Sequence, residues 1–563
     1  MTEITPREIP TAALQNLLNN GCLPALAGIL AARGISDIRQ MDTSLAVLLP
    51  FDSMKNAHEM ARMMADAIAD QKRILVVADY DADGATACAV AVRGLRAFGA
   101  QIDFIVPNRF EYGYGLTPEI VHLAVESRPD ILLTVDNGIA SVEGVAEANR
   151  LGMRVLVTDH HLPGDALPDA ACIVNPNQPG CEFPSKNLAG VGVMFYVLLA
   201  LRAELRNRDR MPDAMAKKLP ELLDLVALGT VADVVKLDQN NRILVQQGLL
   251  RIRAGRACAG INALLDAAKK HPAKVSSLDL GFAVGPRLNA AGRLDDMSLG
   301  IDCLLADDPA TAGTIAARLD ALNRERRSIE TGMQDDALAA LEQVDPRGSF
   351  SLTLFDETWH QGVIGILASR LKDRFHRPTI AFARAGNGEI KGSGRSIAGL
   401  HLRDALDLVS KRHPALIRKF GGHAAAAGLS IAEADLACFV AAFEQVASEL
   451  LDSGDLTHRI ETDGSLEGGA MNLELAQTLE QQVWGQGFPA PQFNDDFVVQ
   501  HQRVVGEKHL KLRLNRDGED VDAILFGHSE SLPDRVHAVY SVSVNEYNGN
   551  QGLQLIIRQW QQA

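Results

Sequence analysis

The chain lacks the features that would place it outside the reducing cytoplasm. None of its seven cysteines (Cys22, Cys88, Cys172, Cys181, Cys258, Cys303, Cys438) stands in a Cys-x-x-Cys pair. That spacing argues against a disulfide scaffold or a thiolate zinc framework and suits reduced core residues. No run reaches the ~18 consecutive apolar residues of a membrane span. The start, Met1-Thr-Glu-Ile-Thr-Pro-Arg-Glu8, has neither the basic stretch nor the apolar core of a secretory signal. A cytoplasmic protein without membrane contact is expected. A basic excess is also missing: 55 Lys and Arg face 71 Asp and Glu, a net charge of −16. Taken alone, this opposes a polyanionic partner, but it loses force if part of the negative charge belongs to a cation site. There is no internal repeat and no low-complexity tract. What remains is an ordinary globular composition, 47% hydrophobic and 22% charged. Its 563 residues are enough for three or four domains.

Three stretches share one design, an apolar run that ends in acids or histidines. They are Ile74-Leu-Val-Val-Ala-Asp-Tyr-Asp-Ala-Asp-Gly84, Ile131-Leu-Leu-Thr-Val-Asp-Asn-Gly138 and Val155-Leu-Val-Thr-Asp-His-His161. Short, nearly continuous apolar runs read as strands buried on both faces. Ligands of open α/β sheets bind beyond the carboxyl ends of such strands. Asp79, Asp81, Asp83, Asp136, Asp159, His160 and His161 should therefore converge on one rim. A single Asp at such a turn reads most simply as a helix cap. Five Asp and two His at three strand ends instead predict divalent cations between them. Oxygen and imidazole donors suit Mn²⁺ or Mg²⁺, and the lack of thiolates disfavours zinc. Two such ions can clamp the attacking and leaving oxygens of a phosphoryl displacement.

Along the chain, residues 1–50 read as a helical segment. From 51 to 309 strands alternate with helices, the pattern of a parallel α/β sheet. Within it a helix is expected from Met211 to Leu228, leading into Gly229-Thr-Val-Ala-Asp233. Residues 310–346 read as a long connecting helix. A smaller α/β domain is expected over 347–451, then a linker at Asp452-Ser-Gly-Asp455. Alternating strands over 456–563 predict a small antiparallel barrel.

The four motifs Asp79-Tyr-Asp-Ala-Asp-Gly84, Asp136-Asn-Gly138, Asp159-His-His161 and Gly229-Thr-Val-Ala-Asp233 resemble those of the DHH phosphoesterases. Gly421-Gly-His-Ala-Ala-Ala-Ala-Gly428 resembles the signature of the associated DHHA1 domain. Trp359-His-Gln-Gly-Val-Ile-Gly365 and Gly285-Pro-Arg-Leu-Asn-Ala-Ala-Gly-Arg293 narrow the resemblance to the branch that degrades single-stranded DNA from the 5′ end. The resemblance spans roughly residues 50–560, and every motif position is filled. It implies that Asp81, Asp83, Asp136, His160 and Asp233 are metal ligands, with Asp136 bridging two ions. It makes Asp79 a ligand or an orienter of ligands, and sets His161 against the scissile phosphate. Asp159 is expected to hold the histidines, since a ligating His usually donates its other N–H to a carboxylate.

Lys391-Gly-Ser-Gly-Arg-Ser396 reads as a donor-rich loop, and on residues alone a plain turn with a solvated Arg is the simpler reading. The resemblance instead sets Ser393 and Arg395 against the substrate's terminal phosphate. Gly422 and His423 would line the cleft opposite the metals. Arg109 is a second phosphate candidate or a loop-stabilising residue, and His360 is a substrate contact or a packing group. Arg287, Asn289 and Arg293 read as contacts to the DNA backbone, though Arg293 could pair with Asp295 or Asp296. The barrel resembles an OB fold, which binds single strands through a basic groove and aromatic platforms. Arg503, Lys508, Lys511, Arg513 and Tyr547 are its candidates, against the reading that they form a solvated face.

The expected activity is a metal-dependent exonuclease releasing mononucleotides from single-stranded DNA, 5′ to 3′, in recombination and repair. A narrow passage between the two α/β domains would exclude duplexes without reading bases. A small-substrate phosphatase or oligonucleotide hydrolase would not need the barrel. A non-catalytic replication factor on the same fold should have lost metal ligands, which this chain keeps. By resemblance, the partners are a single-strand-binding protein and a helicase, and the chain is expected to act as a monomer.

Overall fold

A computed structural model of the chain describes residues 3–108, 112, 115–211, 218–341, 348–466, 469–547 and 549–563. The chain divides into two compact units. One holds residues 6–320 and 461–563; the other holds 321–460 with the first five residues. Among the described residues, no helix is long and apolar enough to cross a membrane.

The segment before residue 50 contains a strand that the sequence did not suggest. β1 (Glu3–Pro6) pairs with β12 (Arg459–Thr462), and the helices Thr11–Asn19 and Pro24–Ala31 follow it. Four residues are too few to show a periodicity.

The first unit is built on a five-stranded sheet in the order β3-β2-β4-β5-β6. Its strands are β2 (Arg73–Ala78), β3 (Gln101–Ile105), β4 (Ile131–Val135), β5 (Arg154–Thr158) and β6 (Cys172–Val174). All neighbours are parallel. The three apolar runs are β2, β4 and β5, and their inner residues are buried because helices cover both faces. Leu75, Val77, Leu132, Val155 and Val157 pack with Ile120, Val121 and Val145 of helices Pro118–Val125 and Val142–Arg150. The other face meets helices Ala82–Ala97 and Gly190–Asn207. From β2 the chain steps outward to β3, then returns across β2 to β4. The connections after β2 and β4 therefore leave on opposite faces and open a crevice at their carboxyl ends.

Close helix packing frames that crevice. A Cβ on Gly94 would lie 2.4 Å from Leu198 Cδ1, and one on Gly229 would lie 2.1 Å from Thr86 Oγ1. The expected Met211–Leu228 helix is displaced: residues 212–217 lie outside the described ones, and the helix runs Leu223–Ala232. The Gly229-Thr-Val-Ala motif is thus its last turn, with Asp233 at its carboxyl cap.

Helix Pro309–Leu341 spans 33 residues, started by Asp308, which accepts from Thr311 N and Oγ1. In the second unit a sheet has the order β10-β11-β9-β8-β7. Its strands are β7 (Leu352–Phe355), β8 (Thr379–Gly386), β9 (Glu389–Arg395), β10 (Lys419–Gly422) and β11 (Ala426–Ala432). Phe382, Leu402, Phe439 and Phe443 fill one face; Ala381, Leu367, Leu371 and Met333 fill the other. The donor-rich segment 391–395 is not a loop but the central strand β9, paired with both β8 and β11. Its glycines are set by packing. A Cβ on Gly392 would meet Phe382 Cε1 at 2.5 Å, and one on Gly394 would meet Leu402 Cδ2 at 2.8 Å. A strand whose glycines admit large neighbours reads as a turn in sequence.

Residues 493–562 form a closed barrel in the order β13-β14-β15-β17-β16. The strands are β13 (Phe493–Val505), β14 (His509–Arg516), β15 (Glu519–Phe526), β16 (Arg535–Tyr547) and β17 (Asn550–Gln562). It is not wholly antiparallel: β17 returns from β16 and closes the barrel by pairing parallel to β15. The preceding stretch anchors it to the rest of the first unit. Asp463 takes two bonds from the buried Arg33 guanidinium, at 2.6 and 2.9 Å. Ser277 Oγ donates to the Trp484 carbonyl, and Phe488 lies under the Arg242 guanidinium, 4.3 Å from ring centroid to carbon.

Candidate metal centre

The crevice collects the motif residues. β2 delivers Asp79, Asp81 and Asp83, β4 delivers Asp136, β5 delivers Asp159, His160 and His161, and helix Leu223–Ala232 ends on Asp233. Asp136 has φ +62°, a left-handed backbone rare for residues other than glycine. Its N–H donates to the Thr158 carbonyl at 3.0 Å, which ties the turn to β5. Gly190 gives the side chain room, since a Cβ there would lie 2.5 Å from Asp136 Oδ1.

Helix capping and metal ligation are not exclusive readings for the β2 acids. Asp81 Oδ1 accepts from the N–H groups of Asp83 and Gly84, starting helix Ala82–Ala97. Asp83 accepts from Gly190 N at 2.6 Å and Val191 N at 2.9 Å, the first amides of helix Gly190–Asn207. Backbone donors thus fix both carboxylates in orientation.

His160 Nε2 is buried and makes no hydrogen bond. It lies 3.2 Å from Asp136 Oδ1, 3.5 Å from Asp233 Oδ2 and 4.0 Å from Asp83 Oδ2. The ring bonds to the Leu188 backbone through its other nitrogen, which fixes the tautomer. Burial, and then the neighbouring His161, push its pKa down to about 4, so Nε2 keeps a free lone pair at neutral pH. His161 goes the other way. Burial opposes its charge, but the bond from Nδ1 to Asp159 Oδ1 at 2.8 Å lifts its pKa to about 9. Asp159 is buried and also accepts from the N–H groups of Ile139, His160 and His161.

Asp83, Asp136 and Asp233 all have pKa values raised, first by burial and then by one another and the remaining acids. Without cations the cluster must hold protons. Three trios place one donor atom each within 4.8 Å of the others: Asp79, Asp81, Asp136; Asp83, His160, Asp233; and Asp136, His160, His161. Asp136 and His160 each belong to two trios. A buried imidazole lone pair aimed at three carboxylates, with no thiolate near, fits hard divalent cations.

Several residues escaped the sequence reading. Asn177 Nδ2 donates to the His160 carbonyl at 2.6 Å, and Asn175 Nδ2 to the His161 carbonyl at 2.9 Å. They follow β6 as the acids follow β2, so the strand-end pattern could have found them. Asn137 Nδ2 bridges the Val77 and Val135 carbonyls, joining β2 to β4.

The Gly285–Arg293 motif braces the acids. Asn289 Oδ1 accepts from Ala82 N at 2.8 Å, and Gly292 admits the Tyr80 carbonyl, which would lie 1.9 Å from a Cβ. Arg287 was expected on DNA. It is instead buried, its guanidinium bonded to Asp320 and to the Ala283 and Ala267 carbonyls. Asp295 pairs with Arg318. Arg109 lies outside the described residues.

In the second unit, Arg395 is half-buried and pairs with no carboxylate among the described residues. Its Nη1 donates to Ser393 Oγ at 3.3 Å and to the Gly394 carbonyl at 2.8 Å. Burial lowers its pKa. Gly365, in the first turn of helix Ile364–Phe375, leaves the space: a Cβ there would sit 2.9 Å from Ser393 Oγ and 3.0 Å from Arg395 Nη2. His360 Nδ1 accepts from Gly362 N just before that helix. Gly422 has φ +144° and ends β10, in a tight turn where the N–H of exposed His423 donates to the Ala426 carbonyl.

The comparisons agree with this architecture. Residues 73–230 match the DHH family N-terminal domain, 348–449 the DHHA1 domain, and 462–559 the RecJ OB domain. The chain is 49% identical over 548 residues to the single-stranded-DNA-specific exonuclease RecJ of Salmonella typhimurium, covering 95% of each. It is 48% identical to the Escherichia coli protein of the same name, again over 95% of each. The crystal structure of Thermus thermophilus RecJ in complex with Mn²⁺ superposes with a TM-score of 0.84 at 30% identity, over 100% of this chain and 80% of that one. On its motifs, its domain order and these likenesses, the chain belongs to the RecJ family of DHH phosphoesterases.

Proposed function

We propose that the chain is a two-metal exonuclease that degrades single-stranded DNA from its 5′ end to mononucleotides, in recombination and repair. The observation that carries this reading is the His160 lone pair facing Asp83, Asp136 and Asp233 across a buried, proton-hungry cluster. Asp79, Asp81, Asp83, Asp136, His160 and Asp233 would hold two divalent ions, Mn²⁺ or Mg²⁺, Asp136 being common to two of the donor trios. When bound, such ions draw charge from the scissile phosphate and make water a competent nucleophile. His161, kept cationic by Asp159, donates to a non-bridging phosphate oxygen as negative charge grows there. Asp159, Asn175 and Asn177 hold both histidines in register. The Ser393–Arg395 cradle takes the terminal phosphate through the Arg395 fork, which sets polarity by capturing a 5′ end. Arg293, His360, Gly422 and His423 are proposed contacts to the strand.

Single-strand preference has a second support. The three most exposed large apolar side chains among the described residues are Phe282 (75%), Leu162 (63%) and Val234 (62%). Leu162 follows His161 and Val234 follows Asp233. Phe282 rides the π-helical turn Leu280–Val284, where Gly281 and Gly285 pack on Val231 and Ala232. Apolar surface left in water beside a phosphate site suits unstacked bases, which pair-locked duplex bases cannot offer.

The proposed division gives hydrolysis to residues 51–309, end capture to 347–451 and strand binding to 456–563. A monomer in the cytoplasm, working with a helicase and a single-strand-binding protein, completes the reading. The test incubates protein and Mn²⁺ with 5′- and 3′-labelled single strands and a matching duplex. Mononucleotides should appear first from the 5′ label, with the duplex intact and no cleavage in EDTA. Release first from the 3′ label, or equal digestion of the duplex, would overturn it.

A further inference from the structure

A second cluster of charge lies in the first unit, away from the acids. Helix Ala82–Ala97 carries Asp83 at one end and Arg93 and Arg96 at the other, about 15–20 Å along its axis. At that far end a cavity of about 590 Å³ is lined by Arg93, Arg96, Lys218, Arg251 and Arg256. Its volume lies within the ~300–1,000 Å³ of small-ligand sites.

The cations here are not balanced. Arg93 is engaged by Asp307 at 2.8 Å and by the Leu304 and Ala306 carbonyls. Arg96, Lys218, Arg251 and Arg256 form no ion pair among the described residues. The Arg251 Nε is buried and has no hydrogen-bond partner. Of the acids at the cavity, Asp307 is taken by Arg93, and Asp224 is buried with its oxygens turned to Leu225 N and Cys258 N. Among the described lining residues, Glu221 and the buried Asp224, whose charge also acts on Arg251, are left against four cations. Helix Ala259–Ala267 also starts at the wall, with no side chain capping its first amides. An uncapped helix start favours negative charge. In a chain of net charge −16, four cations around one hollow are kept together against their own repulsion.

We infer that this cavity binds a small phosphate-bearing anion of nucleotide size, at a site separate from the metal centre. Phosphate meets the guanidinium forks of Arg251 and Arg256 and the Lys218 ammonium. The apolar floor of Leu222, Leu225 and Leu305 leaves room for a nucleoside. The inference does not rest on the nuclease reading.

The test is titration calorimetry in EDTA on an Arg395→Ala background, which silences both the metal centre and the phosphate cradle. The probes are deoxyadenosine 5′-monophosphate and inorganic pyrophosphate. One-site binding of either is expected. Tighter binding of the nucleotide would assign the floor to a nucleoside, and equal or tighter binding of pyrophosphate would assign the site to phosphate alone. Arg251→Gln should weaken binding by at least about tenfold, the loss of one charge-assisted contact. The exposed Arg256→Gln serves as a second variant should the first fold poorly. Both should melt as the parent does, and in the otherwise wild-type chain both should leave basal hydrolysis unchanged. No binding at millimolar probe, or undiminished affinity in a folded charge variant, would overturn the inference.

Discussion

Each unit holds a candidate site whose charge is not balanced within it, and the two sites are of opposite sign. In the parallel sheet, Asp83, Asp136 and Asp233 crowd around one neutral imidazole. In the mixed sheet, Arg395 sits under a helix start and, among the described residues, donates to one hydroxyl and one carbonyl. The Arg33–Asp463 pair shows the ordinary solution, a buried cation and anion joined by two short bonds. Burying an unpaired charge costs several kcal/mol, roughly, even after relaxation. An imbalance that folding tolerates marks a place where a ligand completes the charge. The acid-rich crevice calls for cations and the arginine cradle for an anion.

The largest effect should come from breaking the negative side. Asp136→Ala removes the carboxylate shared by two donor trios and should abolish hydrolysis even in saturating Mn²⁺. Its metal-free melting temperature should hold or rise, because one of several mutually repelling acids is gone. The pH dependence sharpens this. Acids whose pKa is raised on folding bind protons more tightly when folded, so their stabilisation fades as pH rises above about 4. His161, raised from 6.5 to about 9, loses its contribution across that interval. His160, lowered to about 4, acts in reverse but only below 6.5. Metal-free wild type should therefore melt lower at pH 9 than at 6.5, and Asp136→Ala should show a smaller drop. Hydrolysis near the wild-type rate, or a melting temperature that falls sharply in the variant, would remove Asp136 from the centre of the site.

Breaking the positive side should cost less. Arg395→Ala should lower kcat/KM for 5′-phosphorylated strands by about ten- to a hundredfold, the worth of a charge-assisted contact. Strands ending in a 5′-hydroxyl should barely change, so the two rates converge. Stability should change little, since the cation lost is half-buried and has no carboxylate partner among the described residues. Arg395→Lys keeps the charge without the fork and should lie between. An unchanged ratio of the two ends would move Arg395 to general backbone contact.

What the sequence made legible divides along the same line. The acid cluster was readable because parallel strands buried on both faces leave uninterrupted apolar runs, and Asp79, Asp136 and Asp159 stand directly at their ends. Arg395 was read as part of a loop because Gly392 and Gly394, which admit Phe382 and Leu402, imitate turn residues. Arg287 looked like a DNA contact because its partner Asp320 is distant in sequence. The parallel closure of the barrel went unread, since the alternation along β17 does not mark which strand it pairs with. Asn175 and Asn177 carried no charge to draw notice, although they hold the backbone of both histidines.

A smaller effect belongs to the apolar rim of the negative side. Phe282→Ala should slow hydrolysis of ordinary single strands a few-fold, corresponding to about 1 kcal/mol of base stacking. On a strand with abasic sites near the cut it should change nothing, because no base is there to stack. An equal loss on both substrates would make Phe282 a structural residue of the π-turn.

The smallest effect is expected in the barrel, where part of the charge is already balanced. Arg513 donates to Asp522 at 2.8 Å and lies near Asp520. Arg516 pairs with Asp495, and His537 with Asp496. A cross-strand pair stands apart from these. Arg503 of β13 stands directly opposite Lys511 of β14, and neither forms an ion pair among the described residues. Like charges set opposite each other on a sheet destabilise it by tenths of a kcal/mol, roughly, so keeping both points to phosphate as their partner. Removing the whole region after the linker would be a blunt probe, because Asp463 and Trp484 pack on the catalytic unit. Arg503→Gln with Lys511→Gln is the cleaner one. Each phosphate contact releases counterions, so on long single strands the slope of log affinity against log salt should become shallower by about 1.4. Arg513→Gln should leave that slope where it is, its charge being spent on the two aspartates. These measurements belong in the Asp136→Ala background, so that the strand survives. If the double substitution leaves the slope unchanged, or Arg513→Gln alters it as much, balanced charge is no guide to where the barrel meets DNA. The contrast drawn between paired and unpaired sites would then hold only for buried groups.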